Sequence, residues 1–236
     1  MSGAEATSKP ARAAAAAAIL FAVSFFWTVA SVNVPHDASD ATLADWWQQD
    51  ANVTSGMVSM AFAILTALLF AVVSNHLLIL VGSRSPHLTA FARSMATAFT
   101  ITLLVSGAMR GVIGHLVNVQ SEPLPGLDVL RYATALNYTV LGVVVMGTFA
   151  AFVLSTAVLV LRTGVLGRWM GFIGVGCGLV TLGAVLALMG AFTVPIAILW
   201  ALCTAVAVWR QPSPQRGDLS SDAVGDTSVR PSTVGS

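Results

Sequence analysis

The chain has 236 residues, 56% of them hydrophobic and only 9% charged, where an ordinary soluble domain carries about a quarter charged. A soluble globule could not cover that much apolar surface, so the composition points to a membrane. A formal net charge of +1 without any basic cluster argues against nucleic acid or a strongly acidic partner.

A bilayer core about 30 Å thick takes about 20 apolar helical residues per crossing, at about 1.5 Å per residue. Residues 1–10 show no apolar period and are expected to be disordered. A six-helix transmembrane domain is expected over 11–210, with spans at about 13–32, 58–82, 95–117, 137–161, 169–189 and 194–209. The last two share a tract, Trp169 to Trp209, that holds no Asp, Glu, Lys or Arg. As one helix it would be about 60 Å long, twice the hydrocarbon thickness, so it must fold back. Gly190 and Pro195 mark the break, since glycine suits the end of one helix and proline the first turn of the next. The segment 211–236, rich in Ser, Asp, Gly, Pro and Val, is again expected to be disordered.

Short-loop basic residues set the expected orientation. Lys9, Arg12, Arg84, Arg93, Arg162, Arg168 and Arg210 fall on one side. Asp37, Asp40, Asp45, Asp50, Glu122 and Asp128 fall on the other, with Arg131 as their one basic companion. This predicts both ends in the cytoplasm and a place in the cytoplasmic (inner) membrane. A rival reading takes Lys9, Arg12, the first apolar run and Thr28-Val29-Ala30 as a signal peptide, although that run is longer than a usual signal core.

The longest outer connection, Val34 to Gly56, contains Asp45-Trp46-Trp47-Gln48-Gln49-Asp50. It reads either as a short helix on the interface, where indole rings collect, or as a lid over an outward-facing pocket. Asn52-Val53-Thr54 and Asn137-Tyr138-Thr139 match glycosylation sequons on the same side.

Within the spans the one charged residue is Arg110, and a charge at that depth is a candidate site by default. Gly107, Gly111 and Gly114 share its stripe, so Arg110 is expected to face the bundle. From there it could reach Asp50, Glu122, helix-terminal carbonyls or a lipid phosphate, and His115 could join the same site. Register-fixing structure and anionic-ligand binding are the two readings of it. A second polar group, Ser74, Asn75, His76, Thr97, Thr100, Ser155, Thr156 and Thr204, should collect toward the cytoplasmic side. There it reads as interhelical hydrogen bonding or as a proton or substrate path through His76.

Nothing else carries chemistry. No phosphate-binding glycine loop, nucleophile elbow, zinc-protease helix or dinucleotide fingerprint occurs. His76 and His115 lie too far apart along the membrane normal to clamp one haem, and His36 and His87 are loop residues. Cys177 and Cys203 read as small packing residues, and no metal or organic cofactor is expected. Gly174 and Gly178 form a G-x-x-x-G pair, which with Gly107 and Gly111 offers close helix contact within the bundle, between copies or with a membrane partner.

The stretch Arg162-Thr163-Gly164-Val165-Leu166-Gly167-Arg168-Trp169-Met170-Gly171, followed by a glycine-rich span and a final hairpin, resembles the end of a group of six-helix bacterial membrane proteins of unassigned activity. Gly167 stands where that pattern has proline, and Met170 where it has leucine. The resemblance covers about the last third of the chain and implies a fold but no reaction. The expected function is a non-enzymatic membrane module, either a small-solute carrier or a partner and assembly subunit. The alternative is an intramembrane enzyme or binding protein for an anionic lipid or isoprenoid phosphate, using Arg110 with His115 or Asp50.

Overall fold

A computed structural model describes residues 9–31, 34, 39–82 and 85–211. His36, Asp37, Arg84 and most of the two expected disordered segments lie outside the described residues, though Lys9 and Pro10 already belong to the first helix. The described chain is α-helical throughout. Its elements are α1 (Lys9–Ala30), α2 (Asp40–Trp47), α3 (Asp50–Val81), α4 (Pro86–Asn118), α5 (Leu127–Thr139), α6 (Met146–Thr163), α7 (Arg168–Leu186) and α8 (Val194–Trp209). A π-helical stretch, Val140–Val145, joins α5 to α6 without a break, and a 3-10 turn, Gly190–Thr193, leads into α8.

Six of these helices are long and apolar enough to cross a bilayer: α1, α3, α4, the continuous α5–α6 unit, α7 and the last hairpin arm. The chain is a multi-pass membrane protein. Its outward surface fits that solvent, with Ile79, Phe172 and Leu186 between 66% and 78% exposed. Lipid tails are as apolar as these side chains, so burial of apolar area does not hold the helices together; close packing and internal hydrogen bonds do.

Several helices run beyond the apolar segments that define their spans. α3 begins at Asp50, α4 at Pro86 and the α5–α6 unit at Leu127. The reason is legible at each start: Asp50 and Asp128 lie in first turns, where a carboxylate complements the helix dipole, and Pro86 sits where a missing N–H costs nothing. Gly164, at φ +70°, ends α6 in the left-handed conformation that glycine adopts without strain. Gly167 is at φ +80°, a backbone that proline, fixed near about −65°, cannot take. The departure from the resembled pattern at that position therefore belongs to a different turn.

The middle of the bundle is filled by rings. Phe21 and Phe25 of α1, Phe70 of α3, Phe99 of α4, Phe149 and Phe152 of α6 and Trp200 of α8 are all buried. Phe70 and Phe99 meet at 4.3 Å between centroids, and Trp200 meets Phe149 and Phe152 edge-on at 5.5 and 5.8 Å. Such edge and offset geometries match the ring quadrupole and add to dispersion.

The glycines expected at helix contacts are used within this one chain. Beside Gly107 stands Ala63, beside Gly111 Met60, beside Gly174 Ala157 and beside Gly178 Leu154. Self-association of two copies through Gly107, Gly111, Gly174 and Gly178 is thereby corrected: all four are buried against neighbouring helices. Gly190 likewise leaves no room for a Cβ against the carbonyl of Gly142, which seats the α7–α8 turn on the π-helical stretch.

Candidate functional site

The two ends of the bundle differ chemically. One, the terminal end, carries Lys9, Arg12, Arg162, Arg168 and Arg210, with Arg93 two turns into α4. The other is covered by α2, and Arg110 lies two turns below it, near the end of α4.

Arg110 is 6% exposed and faces inward. Its Nη1 donates to the carbonyl of Thr28 at 2.5 Å and to Ser59 Oγ at 3.2 Å, and its Nε donates to Asn137 Oδ1 at 3.3 Å. Thr28 belongs to the last turn of α1, where carbonyls lack intrahelical donors and the helix dipole presents its negative end. The same carbonyl accepts from Ser59 Oγ at 2.6 Å, and Asn137 Oδ1 also accepts from Ser106 Oγ at 3.1 Å. One arginine thus ties together α1, α3, α4 and α5. Below it the hydroxyls continue between α1 and α3, with Thr66 Oγ1 3.1 Å from Thr28 Oγ1 and 3.0 Å from Ser24 Oγ.

Every one of these acceptors is neutral. No carboxylate is among the contacts of Arg110, and Nη2 takes part in none of these hydrogen bonds. Neither Asp50 nor Glu122 reaches it: both are exposed, Asp50 in the first turn of α3 and Glu122 in the loop after α4. His115 is exposed on the far side of α4 and does not join the site.

Beside the guanidinium lies a small cavity of about 20 Å³, lined by Arg110, Asn137, Thr134, Tyr138, Ile113 and Trp47. That is room for about one or two waters. α2 closes it: Leu43 and Trp47 are buried against Val53, Ile113 and Leu130. Of the two readings of the Trp46-Trp47 segment, the position of Trp47 is that of a lid, while Trp46 is half-buried at its edge. Trp47 Nε1 is buried without a hydrogen-bond partner among the described residues. Ser39 caps the helix by accepting from the Thr42 N–H at 3.3 Å, and an exposed ion pair joins Asp40 to Arg131 of α5. An exposed pair of this kind contributes little.

Asn137 is 7% exposed and committed to Arg110 and Ser106, so the sequon reading at that position is corrected. Asn52 donates to the Trp46 carbonyl at 2.8 Å, joining α3 to the lid. Sequence reasoning missed Ser24, Thr28, Ser59, Thr66, Ser106 and Asn137. Their signal was spacing: Ser24 and Thr28, or Ser106 and Arg110, are four apart and so share a stripe.

Ser74, Asn75, Thr97 and Thr100 of the second polar group line one groove between α3 and α4, but among the described residues no hydrogen bond joins the group across helices. Ser74, Thr100, Ser155 and Thr156 donate to carbonyls of their own helices one turn back, and Thr204 has no partner among the described residues. The expected interhelical bonding there is corrected, because a helical Ser or Thr satisfies itself locally. His76 is half-buried with Nε2 unpartnered, and Asn75 is exposed along a groove between α3 and α4. Cys177 and Cys203 are free thiols, and among the described residues no three His, Cys, Asp or Glu side chains cluster.

A comparison of the chain with family models, with curated proteins and with solved structures finds no match.

Proposed function

We propose that this protein is a non-enzymatic membrane binding module that takes an anionic group, a carboxylate or a phosphate, at Arg110 beneath the α2 lid. The carrying observation is a buried guanidinium held only by neutral acceptors, next to a cavity. A buried charge is costly unless paired, and here the described chain provides no counter-anion in contact with it. Hydrogen bonds commit Nε and Nη1 and leave the two N–H groups of Nη2 for a charge-assisted contact to an oxyanion. The cavity as it stands suits water, so admission of a larger anion requires α2 to swing Trp47 outward.

The ring-filled middle of the bundle favours this binding role over a small-solute carrier, which needs a polar site near the midplane. We further propose that the terminal end is cytoplasmic, which the arginine distribution supports, and that the lidded end opens to the opposite side. Membership of the six-helix group resembled by residues 162–171 belongs to the same proposal; it adds no activity.

The test is native mass spectrometry of protein released from nanodiscs of native lipid, comparing wild type with Arg110→Gln and Asn137→Asp. The aspartate would supply an internal counter-anion at Nε without removing the arginine. A stoichiometric added mass in wild type, absent from both variants, is expected. A bare polypeptide in wild type, or a folded Arg110→Gln that keeps every added mass wild type carries, would rule the anion site out.

A further inference from the structure

The groove between α3 and α4 near the terminal end is another place where the fold leaves polar groups unanswered. It encloses about 260 Å³, with Asn75, Arg93 and Thr97 along its rim and Ala71, Leu78 and Ile101 among its apolar lining. Asn75, Arg93 and Thr97 are all exposed, and none enters a side-chain hydrogen bond or ion pair among the described residues. Ser74 and Thr100, in the same groove, differ in that each donates to its own helix.

Depth gives these side chains their meaning. Asn75 lies six residues before the end of α3 and Arg93 seven after the start of α4, so both sit about 10 Å from the α3–α4 turn. The helices have 32 and 33 residues, about 50 Å each, which exceeds a hydrocarbon core of about 30 Å. Their ends therefore project, and Arg93 falls at the hydrocarbon boundary with Thr97 one turn deeper. A cation at headgroup level, an amide and a hydroxyl beside it, and an apolar floor running inward match the order of groups along a phospholipid.

Charge distribution among the described residues favours the lipid over the described part of a second copy. Every carboxylate among the described residues, from Asp40 to Asp128, belongs to the lidded end. The described part of another copy, set side by side, has no anion to offer Arg93 at this level.

We propose that the α3–α4 groove is a binding site for a phosphate-bearing lipid, with Arg93, Asn75 and Thr97 holding the phosphate ester and Ala71 and Ile101 flanking the acyl chain. It is separate from the Arg110 site and stands at the opposite end of the bundle.

Purified full-length protein in detergent, titrated with phosphatidylglycerol and read by native mass spectrometry, tests this. One lipid per chain should be retained, and diacylglycerol of the same chains should not. Arg93→Gln and Asn75→Leu should each lower retention about tenfold, as expected for a lost hydrogen bond to a charged group. Arg162→Gln, at the same end but outside the groove, and Asn137→Asp, in the other site, should leave it unchanged. All four variants must keep the wild-type melting temperature within a few degrees to be compared, and Thr97→Val substitutes for any that does not. Equal loss in Arg162→Gln, equal retention of diacylglycerol, or displacement of the lipid by millimolar inorganic phosphate would overturn the proposal. So would a lipid-free dimer that Arg93→Gln dissolves.

Discussion

Asn137 carries an unusual share of the burial of Arg110, because a single oxygen accepts from both Arg110 Nε and Ser106 Oγ. Leucine has nearly the same shape but no acceptor, so Asn137→Leu leaves two buried donors unpaired. The expected cost is about 1–3 kcal/mol, read as a lower thermal midpoint in detergent. Thr134→Val is the matched control: Thr134 is buried on the same helix but bonds only the Leu130 carbonyl of its own turn, so it should change little. An equal loss in both would place the effect in α5 rather than in the arginine network. At this scale sequence reasoning reached half of the site. Arg110 was conspicuous as a lone charge in an apolar helix, and its glycine stripe set its inward face. Asn137 was invisible as a partner because it sits 27 residues away, at what reads as the mouth of the next span. Which helix stands opposite Arg110 depends on packing that no local pattern encodes.

The spacing between helices is set by glycines whose roles differ within one turn. On α7 a Cβ at Gly174 would stand 2.8 Å from the Cβ of Ala157, closer than two carbons can approach, whereas at Gly176 nothing lies within 4 Å. Gly174→Ala must push α7 off α6 and should destabilise by about 1–3 kcal/mol. Gly176→Ala, exposed on the lipid side, gains helix propensity and should be neutral or stabilising by up to about 1 kcal/mol. Thermal unfolding of the two variants in parallel decides it; equal shifts would mean that α6 and α7 pack more loosely than their geometry implies. Elements themselves were largely readable. Apolar length located six crossings, and Gly190 with Pro195 located the last turn. Their polar extensions were not, since Leu127–Tyr138 looks like a loop when judged by hydropathy. Judged by period it is a helix, with Leu130, Thr134 and Asn137 falling on one buried stripe. The second group of hydroxyls misled for the opposite reason: similar depth on several helices suggested mutual bonding, while Ser74, Thr100, Ser155 and Thr156 each had an acceptor in its own backbone.

For the whole molecule the open variable is orientation, and it decides which compartment can supply a ligand to Arg110. Among the described residues the basic side chains gather at the terminal end and the carboxylates at the lidded end, a bias that favours the former in the cytoplasm. The lid, its Asp40–Arg131 latch and the cavity over Arg110 would then face outward, and the groove with Arg93 inward to the cytoplasmic leaflet. Cysteine accessibility separates the two orientations. In a background with Cys177 and Cys203 replaced by alanine, Gln120→Cys lies in the exposed turn after α4 and Val165→Cys in the exposed turn between α6 and α7. A membrane-impermeant maleimide added to intact cells should label Gln120→Cys at once and Val165→Cys only after permeabilisation. The reverse pattern would invert the molecule, moving any ligand of Arg110 to the cytoplasm and the phosphate of the groove lipid to the outer leaflet. Because Arg93 and Arg110 lie toward opposite ends of one helix, α4, one labelling result assigns the membrane face of each.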